Sequence, residues 1–170
     1  MQDRAENLTR YVKAMTPTVF GLIGVLLLAS PLRLVEGLVP IPLIPLVVVY
    51  FWSIYSPSYL PSVSVFAIGL FQDLLSGGPI GLWPCIYLFV QYLVLSQRSY
   101  FHGREQRVVW LGFTVAAVFS SFILWAVMSM LAGFPLPAWQ LVIQMTSTIA
   151  VYPLVANGFA ELHRRVIVEV

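Results

Sequence analysis

Apolar residues along this chain fall into six blocks, separated by short breaks rich in turn-forming residues. The blocks cover residues 17–35, 41–56, 59–77, 80–97, 108–132 and 136–161. A helix crossing a bilayer needs about 20 apolar residues. The last two blocks meet that length with room to spare; the second is short. The breaks carry Pro40-Ile41-Pro42, Pro57 and Pro61, Gly77-Gly78-Pro79, and Gly133 with Pro135 and Pro137. Such residues end helices rather than continue them. Short links force neighbouring helices to run antiparallel, and Pro153 predicts a kink in the sixth block.

The expected fold class is therefore all-α and integral to a membrane: a bundle of six transmembrane helices in one domain. Residues 1–16 form an N-terminal tail, 17–161 the bundle and 162–170 a C-terminal tail. The basic residues test that count. With both termini cytoplasmic, the inner segments hold Arg4, Arg10, Lys13, Arg98, Arg104, Arg107, Arg164 and Arg165, eight of the nine basic residues. Only Arg33 falls outside. An excess of Lys and Arg on cytoplasmic segments is the pattern that orients membrane helices. Five spans would split these clusters across the bilayer. Trp83, Trp110 and Trp139 lie near span ends, where an aromatic belt belongs. Trp125 lies mid-span and is expected to pack inside. Arg4, Arg10 and Lys13 ahead of an apolar core resemble a signal peptide. No clean small-x-small site follows, so an uncleaved first helix is expected.

Composition narrows the classes. The chain is 59% hydrophobic and 9% charged, with mean hydropathy +0.88, against about 25% charge in a soluble domain. A net charge of +2, from basic residues in short clusters, gives no reason to expect nucleic acid. The single Cys85 excludes an internal disulfide and a cysteine metal cage. His102 and His163 sit beside arginines outside the apolar blocks, so neither metal nor cofactor is expected.

One residue breaks the apolar pattern. Between Glu36 and Arg98 lie 61 residues, and Asp73 is the only charged one. A carboxylate in a membrane segment costs roughly 2.5–3.5 kcal/mol on insertion scales and is expected to face protein or water. Helical spacing puts Ser62, Gly69, Asp73 and Ser76 on one face. Gln140, Gln144, Ser147, Thr148 and Tyr152 form a stripe on the sixth helix, and Thr114, Ser121, Trp125 and Ser129 one on the fifth. The fourth carries Gln91. Polar and small residues mark helix faces turned towards other helices. They serve either as structural glue or as the wall of a pocket. A structural role for Asp73 is capping of the turn at Gly77 and Gly78, or a bond to a facing helix. Acid–base or nucleophilic catalysis needs a second titratable group at membrane depth, and the blocks supply no Lys, His or second acid there.

Residues 45–92 resemble the MreD family of rod shape-determining membrane proteins. Pro45 with Tyr50, Trp52 and Pro57 carries part of the likeness. Gly69-Leu70-Phe71-Gln72-Asp73-Leu74-Leu75-Ser76-Gly77, followed by Pro79-Ile80-Gly81-Leu82, carries the rest. The family pattern looks like Gly-Leu-x-x-Asp-Leu-x-Ser-Gly-x-x-Leu-Gly, with Ile80 here in place of the leucine. Substrate-binding subunits of vitamin transporters of the energy-coupling-factor type share its general look and six-helix arrangement. The resemblance implies a non-enzymatic scaffold of the cell-elongation machinery in the bacterial inner membrane. It implies binding to MreC, and through it to MreB, RodA and an elongation-specific penicillin-binding transpeptidase, in contact with membrane lipids and with self-association left open. A vitamin-type transporter subunit is the alternative. Against it, the first helix has Gly21 and Gly24 but no Ala-x-x-x-Ala face. The candidate partner-binding or structural residues are Pro45, Gly69, Asp73, Ser76, Gly77, Gly81, Gln91 and Gln144. Gly21 and Gly24 offer further close-approach surfaces for another helix or chain.

Overall fold

In the computed structural model, residues 2–30, 41–98 and 105–163 are described, with side chains over 15–30, 41–98 and 105–158. Six α-helices occupy these residues: α1 Gln2–Ala29, α2 Ile44–Tyr55, α3 Ser62–Ser76, α4 Leu82–Ser96, α5 Gln106–Ala132 and α6 Trp139–His163. A short 3-10 turn, Pro57–Tyr59, joins α2 to α3. Each apolar block of the sequence holds one helix. α1 starts at Gln2, so the basic N-terminal stretch is helical and continuous with the first apolar block. The expected extension of that block through residues 31–35 lies outside the described residues, as does Arg33.

Two helices are long and apolar enough to cross a membrane: α5, with mean hydropathy 2.1, and residues 139–158 of α6, with 1.2. Residues 15–29 of α1 and all of α2, α3 and α4 are shorter apolar helices. At 1.5 Å per residue, α2 is about 18 Å long and α5 about 40 Å. The short helix is tolerated because of where it sits. Pro45 to Ile54 are all buried, with α1, α4, α5 and α6 packed round them. Backbone that stops short of the bilayer surface needs protein around its ends, and α2 has it.

The core gathers on α2. Leu46, Val47, Val48, Val49, Trp52 and Ile54 are fully enclosed, with Ile68 from α3, Tyr87 from α4 and Phe113 from α5 against them. Tyr50, Phe113 and Tyr152 form a ring cluster with centroids 4.2–5.9 Å apart, and the Tyr50 hydroxyl donates to the Val109 carbonyl at 3.0 Å. Outward faces are apolar: Val19, Ile23 and Leu26 on α1, Val63, Phe66 and Leu74 on α3, Val115 and Phe122 on α5, and Leu154 on α6 are exposed.

Several expected faces shift. The buried stripe of α3 is Val65, Ile68, Gly69, Gln72 and Asp73; Ser62 and Ser76 are exposed. The α5 stripe that faces protein is Val109, Phe113, Ala116, Ala117 and Ser120. It is one helical face round from Thr114, Ser121, Trp125 and Ser129. Trp125 sits near the end of α5, half-buried, and its indole N–H donates to the Leu136 carbonyl across the α5–α6 turn. Trp83 is buried at the start of α4 rather than placed in an outer belt, while Trp110 and Trp139 are exposed.

Candidate functional site

The corner between α3 and α4 is built by glycine and one acid. α3 ends at Gly77, which adopts φ 67° and donates its amide to the Asp73 carbonyl. Gly81, with φ 101°, turns the chain into α4. Both conformations lie in the left-handed region, which glycine enters without steric cost. The Asp73 side chain then caps the next helix. Its Oδ2 accepts the Gly81 amide at 2.6 Å, and its Oδ1 accepts the Trp83 amide at 3.2 Å. The Leu82 amide donates to the Pro79 carbonyl, and Pro84 has no amide hydrogen. Every donor that the start of a helix normally leaves unpaired is therefore accounted for. The positive end of the α4 dipole favours a carboxylate here. Asp73 is 2% exposed, in keeping with a residue that faces protein and not lipid. Gly69 completes the corner: a Cβ there would lie 2.5 Å from the Pro84 nitrogen and 2.9 Å from the Trp83 carbonyl carbon.

Below the corner, polar side chains serve backbone. The Tyr87 hydroxyl donates to Gln72 Oε1. Gln91 Nε2 donates to the Leu60 carbonyl at 2.9 Å, where the chain is between helices. On the other side, α6 holds the non-helical residues 41–43. Gln144 Nε2 donates to the Ile41 carbonyl at 3.0 Å, and Thr148 Oγ1 accepts the Leu43 amide at 2.9 Å. Non-helical backbone enclosed by helices requires such partners. Pro45 opens α2, where a missing amide hydrogen costs nothing, and its nitrogen faces Gly24 of α1. Gly21 packs on Ile68. Gly21, Gly24 and Gly69 were expected to let another helix or chain approach, and their close contacts are with helices of this chain. Gly77 and Gly81 would meet nothing within 4 Å.

A crevice opens beside this corner in two compartments. One, of about 360 Å³, is lined by Val25, Leu28, Leu43, Gln72, Trp83 and Gln144, among others. The second, of about 420 Å³, is lined by Asp73, Pro79, Leu124, Met128 and Gln140, among others. Ser76, Trp83 and Gln144 line both. Asp73 therefore reaches the wall with its oxygens already engaged, while Gln72 and Gln144 keep unused amide atoms. Gln91 lies elsewhere, at the α2–α3 link. Gln72 was missed at the level of the sequence, although it stands with Val65, Ile68 and Gly69 at three- and four-residue steps. Among the described residues no group of three or more His, Cys, Asp and Glu gathers.

The family model for the rod shape-determining protein MreD matches residues 9–160, nearly the whole chain. The chain belongs to the MreD family. No curated protein and no solved structure matches it. Membership places the chain among membrane proteins that determine rod shape, a structural role and not a known enzyme activity. The residues that carry the likeness, Gly69 to Gly81, are those that build the α3–α4 corner. In this MreD-family chain their evident work is to turn the backbone and cap α4.

Proposed function

We propose that this chain is a membrane scaffold of the bacterial cell-elongation machinery, binding MreC in the inner membrane and turning over no substrate. Through MreC it would stand with MreB, RodA and the elongation-specific penicillin-binding transpeptidase, supporting lateral peptidoglycan synthesis. The observation that carries the reading is the family match over residues 9–160. Two features support it. Asp73, the one charged residue between Glu36 and Arg98, accepts two backbone amides at the start of α4, which is a structural use of the acid. The long α5–α6 hairpin exposes apolar side chains such as Val118, Phe122 and Met130, a surface suited to the lipid of a bilayer.

The proposed arrangement has six spans, as in the substrate-binding subunits of energy-coupling-factor transporters, with both termini cytoplasmic. The eight-to-one division of basic residues supports it. Co-expression with MreC, followed by affinity purification in mild detergent, is the test. MreC should co-purify, and depletion of the chain should round up rod-shaped cells. Loss of MreC from the eluate, with a vitamin-sized ligand retained at one per chain, would replace the scaffold with the transporter-subunit alternative.

A further inference from the structure

We infer that the crevice beside the α3–α4 corner is a docking site for an extended, uncharged peptide segment of the partner chain. This rests on the scaffold reading and adds where the partner sits. Three observations lead there. The first is chemical. Gln72 is 5% exposed, yet only its Oε1 is engaged, by the Tyr87 hydroxyl. Its amide Nε2 has no partner among the described residues. Gln144 spends Nε2 on the Ile41 carbonyl and leaves Oε1 unpaired. Both side chains line the same compartment. One free donor and one free acceptor are the complement of a peptide group, which offers one carbonyl and one N–H. Neither atom is sealed in the core, so both can be reached from the compartment, and an occupant that bonds both gains about 0.5–1.5 kcal/mol per bond over an apolar one.

The second observation is that this wall already binds non-helical backbone. Gln144 and Thr148 hold Ile41 and Leu43 through the same kinds of bond. Gln72 and Gln140 extend that equipment along the crevice. The third is shape and charge. The crevice runs from Val25 on α1, past Ser76, Trp83 and Gln144, to Met128 on α5. A single helical turn, about 10 Å across and 5.4 Å long, would fill either compartment alone, whereas an extended strand can run through both. The one described charge on the wall, Asp73, has each carboxylate oxygen held by a backbone amide. An anionic ligand finds no cationic side chain among the described residues of the wall.

The test uses the full chain in intact cells with MreC co-expressed. A photoreactive benzoylphenylalanine replaces Ser76 or Met128 on the crevice wall, or Val115 on the exposed face of α5 as a control. Irradiation should give adducts with MreC from the two crevice positions and not from Val115. Peptide mapping should place them in a non-helical segment poor in charge. Gln72→Leu should lower the adduct about fivefold, equivalent to one hydrogen bond of about 1 kcal/mol. Gln140→Ala, at an exposed position that folding does not need, should lower it in the same direction. Adducts confined to phospholipid, to a membrane-spanning helix of MreC or to this chain's own residues 31–40 overturn the inference, as does equal labelling from Val115. MreC that co-purifies without crevice adducts leaves the scaffold reading standing and removes the docking site. Failure of MreC to co-purify removes both.

Discussion

Replacing Asp73 separates a capping role from any other. The wild-type carboxylate accepts two buried backbone amides, from Gly81 at 2.6 Å and Trp83 at 3.2 Å. Asp73→Leu fills the space and strands both donors. Each unpaired buried amide costs about 1–3 kcal/mol, so the loss is about 2–6 kcal/mol. Asp73→Asn keeps one carbonyl oxygen and turns an NH₂ towards the other donor. It also gives up the attraction of a negative charge to the start of α4, worth about 0.3–1 kcal/mol. With one stranded donor instead of two, the loss there is about 1–4 kcal/mol in all. The assay is equilibrium unfolding in mixed micelles, followed by the fluorescence of Trp83, whose own amide is part of the cap. The expected order is wild type, then Asn, then Leu. Wild-type stability of the Leu variant would refute the cap, and an Asn variant as damaged as Leu would show that charge, not hydrogen-bond geometry, holds the corner.

Gly69→Ala should destabilise the chain more than Gly77→Ala in the same assay. Its Cβ would strike the Pro84 and Trp83 backbone, at about 1–3 kcal/mol for overpacking, while Gly77 meets only the left-handed penalty of about 1–2 kcal/mol. Gln91→Leu should cost about 1–3 kcal/mol by stranding the Leu60 carbonyl, and an unchanged unfolding midpoint would contradict that bond. Tyr152→Phe should be neutral or stabilising, because its buried hydroxyl has no partner among the described residues; a marked loss of stability would mean that the hydroxyl is bonded after all. A reporter fused after Val170 should read as cytoplasmic and one in the Gly78–Pro79 turn as periplasmic, and a periplasmic C-terminus would overturn the six-span arrangement.

Helix number and order were legible because Pro and Gly punctuate apolar blocks, and both act locally. The burial of Asp73 was legible for a similar reason: no other charge lay within reach of it along the chain. Its partners were not. They depend on Gly69 allowing α4 to approach α3, a contact that no periodicity reports. The polar stripe of α5 was misjudged because hydroxyls in a helix satisfy themselves. Thr114 donates to the Trp110 carbonyl and Ser120 to Ala116, so a serine or threonine reads the same facing lipid or protein. Glutamine cannot turn back in this way. Gln72, Gln91 and Gln144 each reach another segment, which makes the glutamines, rather than the hydroxyls, the better guide to the interior.

The same accounting limits where a partner can engage this chain by polar contact. Side-chain hydrogen bonds that link different segments go chiefly to non-helical or capping backbone: the start of α4, the Leu60 carbonyl, Leu136 and residues 41–43. These groups cannot be turned outward without undoing the fold. The close-packed glycines of α1 and α3 are likewise taken. Among the described residues, what remains is the apolar outer surface, which any membrane helix or lipid can cover, and the crevice, where Gln72 and Gln144 keep amide atoms without a partner among those residues. Apolar contact between membrane helices discriminates poorly, because lipid competes on equal terms. Directional bonds to a chosen segment do not face that competition. On the proposed scaffold reading, the described residues put the strongest source of specificity at the corner that Asp73 holds in place.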